Sequence, residues 1–476
     1  MHLTAQQMDR AAGAVLASAA GDALGSQYEF GPALADDVTP AFGIGCFGHA
    51  LGEWTDDTSM AMSILQVLAD GRTLEDPAAL DEIVTSWRDW SRTAKDVGSQ
   101  TRSILSHLRE TTADAATRRA ESLHQSTGRS AGNGSLMRTG PVALGYLDRP
   151  RVELAAAAGR VAQLTHWEDD NVDACAIWCL AIRHAVLTGE LDVRAQVAFI
   201  SADRRDRWAA LIDEALQPGA HPRGFRSGNG WVVRAFQAAL AAIAGATSPV
   251  DALERAVRGG GDTDTVAAIA GSLAGAVHGG SGIPLEWKRK LHGWPGIDAN
   301  DLTHLACLAA RRGQVDHEGW PLAERATVYA GSDYLFSHPH DPGVWIGSLA
   351  ALDRLPSEVG AVVSLCRVGT RHVPDGLESV QVWLIDKPDR NDNLDFVLTE
   401  AADAVATLRA EGKVVFLHCA EGRSRTSAVA TLYGTRHRGV GLDQAWSDVR
   451  ATLPGFAPHA FLRDAVARIQ SAPTIS

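Results

Sequence analysis

The hydrophobic pattern of the chain changes once, between residues 310 and 325, and that break sets what it can fold into. Before it the sequence is rich in alanine, and apolar residues return three or four positions apart, the period of a helix face. In the stretch 171–186, Val172, Cys175, Cys179, Ile182 and Val186 fall on one such face. Cys175 and Cys179 read as core residues, because their neighbours are apolar and a free cysteine packs as a small hydrophobe. After the break, short β-branched runs appear at 361–365, 380–385 and 414–417. Leu394, Val397, Ala401, Val405 and Leu408 make a helical stripe between the last two runs, with Gly412 past its end. Strands alternating with helices predict an α/β sheet. The expected architecture is therefore multidomain: a large all-α domain over 1–312, a linker over 313–326 and a smaller α/β domain over 327–476.

Charge is divided as unevenly as pattern. The 476 residues include 44 Lys and Arg against 57 Asp and Glu, a net charge of −13. Residues 331–476 hold 14 basic and 17 acidic residues, so ten of the thirteen excess negative charges lie in the first 330. This balance argues against a protein that tracks nucleic-acid backbones, which takes clustered Lys and Arg. No apolar run reaches the length of a membrane span, and no basic-then-apolar start reads as a secretory signal. Six scattered cysteines suit a reducing compartment, so the expected location is cytoplasmic.

Within the helical part, carboxylates bunch twice. Glu53-Trp-Thr55-Asp56-Asp57-Thr58 runs into an apolar helix, and so does Gly259-Gly-Gly-Asp262-Thr-Asp264-Thr265. Asp and Thr are favoured helix caps, but capping needs one oxygen and each cluster supplies several. Like charges gathered before a buried helix are costly unless a cation compensates. Hard divalent ions take such oxygens, and a dinuclear carboxylate site can orient a water or hold both oxygens of a displacement. Three glycine-bearing or short turns accompany the clusters: Gly21-Asp22-Ala-Leu-Gly25 followed by Glu29, Gly132-Asn133-Gly134-Ser135 before Met137-Arg138, and Thr165-His166-Trp167-Glu168. Glycines let backbone amides approach a phosphate.

The ordered strings GDALG…E, GEWTDDTSM, GNGSLMR, LTHW and GGGDTDT resemble the ADP-ribosylglycohydrolase family over residues 8–310. The resemblance implies an all-helical fold, two Mg²⁺ or Mn²⁺ ions, and hydrolysis of the N- or O-glycosidic bond between ADP-ribose and a protein side chain or small acceptor. Carried over by position, it makes Thr55, Asp56, Asp57, Asp262, Asp264 and Thr265 metal ligands. It makes Glu29 a ligand or proton carrier, so that Glu29, Asp56 and Asp57 are the catalytic carboxylates. It gives Gly132, Asn133, Gly134 and Ser135 the diphosphate and sets His166 near the ribose or phosphates. The segment Trp167-Glu168-Asp169-Asp170 departs from the family's His-rich version and leaves the acceptor open.

In the second part, Val414-Val-Phe-Leu-His418-Cys419 is followed by Ala-Glu-Gly422-Arg-Ser424-Arg425-Thr426. Cysteine thus starts a loop between a strand and a helix, and a loop at a helix N-terminus binds anions and favours a thiolate. Arg425 offers a fork to phosphate oxygens, Gly422 permits the turn, and Thr426 or Ser424 offers a hydroxyl. The string resembles the dual-specificity branch of the cysteine phosphatases over residues 340–470. That resemblance implies a phosphocysteine on Cys419, phosphate held by Arg425, and an upstream Asp as general acid. Asp386, Asp389 and Asp392 qualify by position, and Asp386, directly after the 380–385 run, fits best.

Two function classes follow. One is a bifunctional hydrolase acting on an ADP-ribosylated protein or small molecule and on a phosphorylated substrate. The other is a regulatory reader that binds ADP-ribose or phosphate without turnover. Complete acidic clusters and the presence of both Cys419 and Arg425 favour the enzyme.

Overall fold

The computed structural model describes residues 2–326 and 333–472. It divides into two compact units, Met1–Ile283 with Lys290–Gln314 and Pro284–Arg289 with Val315–Ser476.

The first unit is built of helices, of which five place the residues of interest: α1 (Ala5–Gly25), α2 (Asp56–Ala69), α3 (Asp169–Thr188), α4 (Val232–Ala244) and α5 (Thr263–His278). A capping box of Thr4 and Gln7 starts α1. Nearly all of α1 and α5 is buried, and the two meet along a seam of glycine and alanine. A Cβ added at Gly275 would lie 2.0 Å from the Gly13 carbonyl oxygen, and one at Gly271 2.1 Å from that of Ala17. One at Gly21 would lie 2.3 Å from the Ala267 oxygen. Helix spacing is set by the side chains at the contact, and here there are almost none. The alanine-rich composition thus has a packing cause: it lets two central helices touch backbone to backbone. Elsewhere the core is larger in grain, with Phe236 edge-on to Trp178 and Trp208 at 4.9 and 5.2 Å. Cys175 and Cys179 on α3 are fully buried in that core, as expected.

The second unit has a five-stranded sheet: β1 (Leu335–His338), β2 (Asp341–Ser348), β3 (Val359–Ser364), β4 (Glu378–Gln381) and β5 (Val414–Cys419). Its order is β1-β2-β5-β3-β4. β1 pairs antiparallel with β2, and the remaining pairings are parallel. Helices α6 (Leu394–Ala410), α7 (Arg425–Arg438) and α8 (Ala460–Ser471) contribute Leu398, Val405, Val429, Leu432, Leu462 and Val466 to a core with Val344, Ile346, Val363, Val415 and Leu417. On the alternate positions of the same strands, Val362 and Phe416 pack with Leu349, Leu352 and Val368, as the two-residue period of a strand requires. The central β5 runs through Cys419, and α7 opens six residues later at Arg425.

The structure departs from the expected strands in two places. The 380–385 run pairs only as far as Gln381, because its partner β3 ends at Ser364, opposite Gln381. Strands β1 and β2 carry no long β-branched run, since His338-Pro-His-Asp341-Pro-Gly343 interrupts them. Among the described residues, no helix is long and apolar enough to cross a membrane.

Candidate active sites

In the first unit the two acidic turns, about 200 residues apart in sequence, converge at one end of the α1–α5 seam. Asp22, buried in the last turn of α1, accepts four hydrogen bonds from the start of α2. Its Oδ1 takes the Thr55 N–H at 3.0 Å and the Thr55 hydroxyl at 2.7 Å. Its Oδ2 takes the Thr58 N–H at 3.0 Å and the Thr58 hydroxyl at 2.6 Å. That clasp fixes Thr55, Asp56 and Asp57 against α1. Asp57 Oδ2 lies 3.2 Å from the Thr55 hydroxyl and accepts from the Thr265 hydroxyl at 3.4 Å, which joins the two clusters directly. Asp57 Oδ1 is buried with no hydrogen-bond partner among the described residues.

The chain leaves α1 against the second cluster, where a Cβ at Gly25 would meet the Asp264 backbone at 2.5 Å. Four residues on, Glu29 joins Asp262 and Asp264, and these three carboxylates each place an oxygen within 4.8 Å of the others. Asp262 is fixed by the Asn133 amide at 2.7 Å, and its own N–H donates to Asn229 Oδ1 at 3.1 Å. Asp56 accepts from the Gly98 N–H at 3.1 Å.

Electrostatics follow from this crowding. Burial first, then Asp262 and Asp56, push the Glu29 carboxyl up to about 8. Burial first, then Asp96, do the same for Asp56. Asp57 and Asp264 lie well above the usual carboxylate range, each because of burial and then a facing aspartate. Gathered, desolvated carboxylates stay ionised only if positive charge is supplied. The donor set is all oxygen and includes the orphaned Asp57 Oδ1, so it fits a hard divalent cation.

The 132–135 loop lies beside this cluster, with the Asn133 N–H donating to the Gly230 carbonyl at 3.0 Å. Asn171 donates to the Gly132 carbonyl at 2.7 Å and the Ser135 hydroxyl at 2.8 Å, turning that hydroxyl towards α3. His166 packs under the loop, where a Cβ at Gly134 would stand 3.0 Å from its Cε1. The Thr165 hydroxyl lies 2.8 Å from His166 Nδ1 and accepts from Arg138 at 2.6 Å. Burial first, then Arg138, lower the His166 pKa well below its usual value. Arg138 is itself fully buried and stacks over Trp87 at 4.1 Å. The structure thus brings every first-unit candidate to one place, although Ser135 faces the scaffold. It gives Asp22, quoted in sequence only as part of the GDALG turn, a holding role, and it adds Asn229 and Asp96, neither of which sits in an acidic string that reads as a site.

In the second unit Cys419 ends the central strand, almost wholly buried at 1% exposure. Gly422 has φ of +68°, and a Cβ there would fall 2.7 Å from the Gly347 backbone, so only glycine suits this turn. The Thr426 hydroxyl donates to the Gly347 carbonyl at 3.3 Å. Arg425 Nη1 donates to the carbonyls of Leu365 and Leu384 at 2.7 and 2.9 Å, which orients its guanidinium beside the loop. Asp386 is brought to the same place: its Oδ1 accepts from the Ser424 hydroxyl at 2.8 Å, and its Oδ2 lies 3.6 Å from Arg425 Nε. Asp389 and Asp392 are exposed, farther along the same turn.

Residues 3–318 match the family model described as ADP-ribosylglycohydrolase. Over 294 residues the chain is 32% identical to ADP-ribosylarginine hydrolase Tri1 of Pseudomonas putida (strain GB-1), covering 60% of this chain and 75% of that protein. Over 125 residues it is 32% identical to dual specificity phosphatase 28 of Mus musculus, covering 25% of this chain and 74% of that protein. Among solved structures, an ADP-ribosylglycohydrolase-related protein complex is similar at 29% identity and a TM-score of 0.48, covering 65% of this chain and 99% of that one.

Proposed function

The chain belongs to the ADP-ribosylglycohydrolase family through residues 3–318 and to the dual-specificity phosphatases through its C-terminal part, and from that membership we propose a two-activity hydrolase. The first unit releases ADP-ribose from a modified acceptor, and the name of the Pseudomonas relative directs the choice to the nitrogen of arginine. Thr55, Asp56, Asp57, Asp262, Asp264 and Thr265 hold two Mg²⁺ or Mn²⁺ ions, which when bound supply Lewis acidity at the scissile ribose and a means of orienting water. Gly132, Asn133 and Gly134 cradle the diphosphate, with His166 beneath them. Glu29, gathered with Asp262 and Asp264, serves as a further metal ligand or carries a proton to the departing acceptor, the task of a general acid. The observation that carries this reading is the convergence of Glu29, Asp262 and Asp264 on one point, with Asp57 joined to Thr265. Asp56→Asn or Asp264→Asn is expected to abolish ADP-ribose release while the helical circular dichroism stays as in the wild type. Full activity in either variant contradicts the reading.

In the second unit the Cys419 thiolate attacks phosphorus, the ester oxygen leaves with a proton from Asp386, and Arg425 holds the phosphoryl oxygens. Water then hydrolyses the phosphocysteine, releasing inorganic phosphate and restoring the thiolate. The contact of Asp386 with Ser424 in the Cys419 loop supports that assignment. Rapid quenching with a phosphorylated substrate is expected to trap a phosphoenzyme, which Cys419→Ser removes along with turnover.

A further inference from the structure

Building on the first unit's reading as an ADP-ribosyl hydrolase, we propose that Phe30 and Phe47 form its acceptor platform, an exposed aromatic pair that stacks the guanidinium of a modified arginine beside Glu29. Phe30 directly follows Glu29 and is 68% exposed, while Phe47 is 47% exposed. Their rings meet edge to face, with centroids 6.2 Å apart at 86°. Ile44 stands 66% exposed on the same loop as Phe47. Large apolar side chains gathered at the rim of a site mark an interaction surface.

The backbone places Phe30 there against its own preference. Its φ is +62°, a left-handed conformation that a bulky residue disfavours. Pairing with the segment that leads into Asp262 enforces it. The Phe30 N–H donates to the Gly261 carbonyl at 2.6 Å, and the Gly261 N–H returns a bond to Gly31 at 3.0 Å. Phe47 is tied to the same strip of chain. The Cys46 N–H donates to the Ser26 carbonyl at 3.1 Å, and the Cys46 thiol donates to the Glu29 carbonyl at 3.4 Å. Beneath that loop, buried His49 lies 3.5 Å from Asp96, two residues before the glycine that donates to Asp56. The segments that carry both rings are therefore tied to the acidic cluster.

Ring chemistry selects the occupant. Phe30 directly follows Glu29 in the chain, and its backbone pairs with Gly261, next to Asp262, so the exposed pair lies on the segments that carry those carboxylates. A guanidinium is planar, permanently charged and weakly hydrated, so it stacks on aromatic rings while pairing with carboxylates. No other acceptor side chain combines these properties.

The test uses the full chain with an arginine-linked ADP-ribosyl peptide and a serine-linked peptide of the same sequence, the latter assayed as substrate or as competitive inhibitor. Phe30→Gly and Phe47→Ser are each expected to raise KM for the arginine-linked peptide about two- to fivefold, the loss of a cation–π contact at an exposed site, with kcat changed less than twofold. The KM or Ki of the serine-linked peptide should move less. Phe30→Gly also relieves the left-handed strain and should melt no lower than the wild type, which separates lost recognition from lost folding. An unchanged KM, or an equal rise for both peptides, overturns the platform while leaving the hydrolase reading intact. A wild-type chain that releases no ADP-ribose from either peptide overturns both.

Discussion

Asp22, the acidic residue of the GDALG string, is the residue on which the Thr55–Thr58 turn is built. Its two oxygens accept from two N–H groups and two hydroxyls of Thr55 and Thr58, and an amide in its place has one acceptor and one unwanted donor. Each buried donor left unpaired costs about 1–3 kcal/mol. Asp22→Asn should therefore lower the melting temperature of the first unit and weaken divalent binding together, as calorimetry and metal titration would read. Unchanged values of both exclude the clasp. Histidines make the second residue-scale case. Burial pushes His338 down to about 4 and His418 to about 3, so both are neutral in the folded unit. Below about pH 6.5 the unfolded chain takes up protons that the folded unit refuses. Stability of the second unit is then full above that pH and falls as pH drops towards 4. Protection of the 414–419 strand amides, taken against their intrinsic exchange rates at each pH, should fall between about pH 6.5 and 4.5, and protection that is flat over that range contradicts neutral burial.

At the scale of elements, the α1–α5 seam converts composition into geometry. Gly13, Gly21, Gly271 and Gly275 leave no room for a side chain, and the same seam ends at Asp22 and Asp264. Gly275→Ala puts a methyl 2.0 Å from the Gly13 carbonyl oxygen, and the helices must part. Overpacking of this kind costs typically 1–3 kcal/mol. A drop in melting temperature accompanied by weaker Mg²⁺ binding is expected, whereas stability lost at unchanged affinity would uncouple seam from site. Helices of this kind are legible in sequence: α6 buries the stripe of Val397, Ala401, Val405 and Leu408, whereas α3 forms where the pattern places it but is buried on nearly every side, with Val172 only half-buried. The edge of the sheet is less so. β1 and β2 hide behind prolines and glycine, and β4 stops where its partner stops, a fact of pairing that no local pattern contains. The candidate site shows the same division. Strings of Asp and Thr announce themselves, while Asn229 and Asp96 act through contacts with residues 33 and 47 positions away, Asp262 and His49.

For the molecule as a whole, the net charge of −13 resolves into a local arrangement rather than a general coating. Much of the excess lies where Asp22, Glu29, Asp56, Asp57, Asp262 and Asp264 face one another with raised pKa values. The second unit instead matches its buried carboxylate with cations, as Asp341 meets Arg409, Arg438 and the Tyr433 hydroxyl. The two units should therefore answer differently to divalent ions. A ligand that binds only the folded form stabilises it by about 2.7 kcal/mol at one hundred times its dissociation constant. Scanning calorimetry of the intact chain should show Mg²⁺ raising the transition that carries the helical signal and leaving the other in place, with a chelator reversing the shift. A uniform shift of both transitions would mean that the ion acts by general screening, and that the acidic cluster is not the site that takes it up.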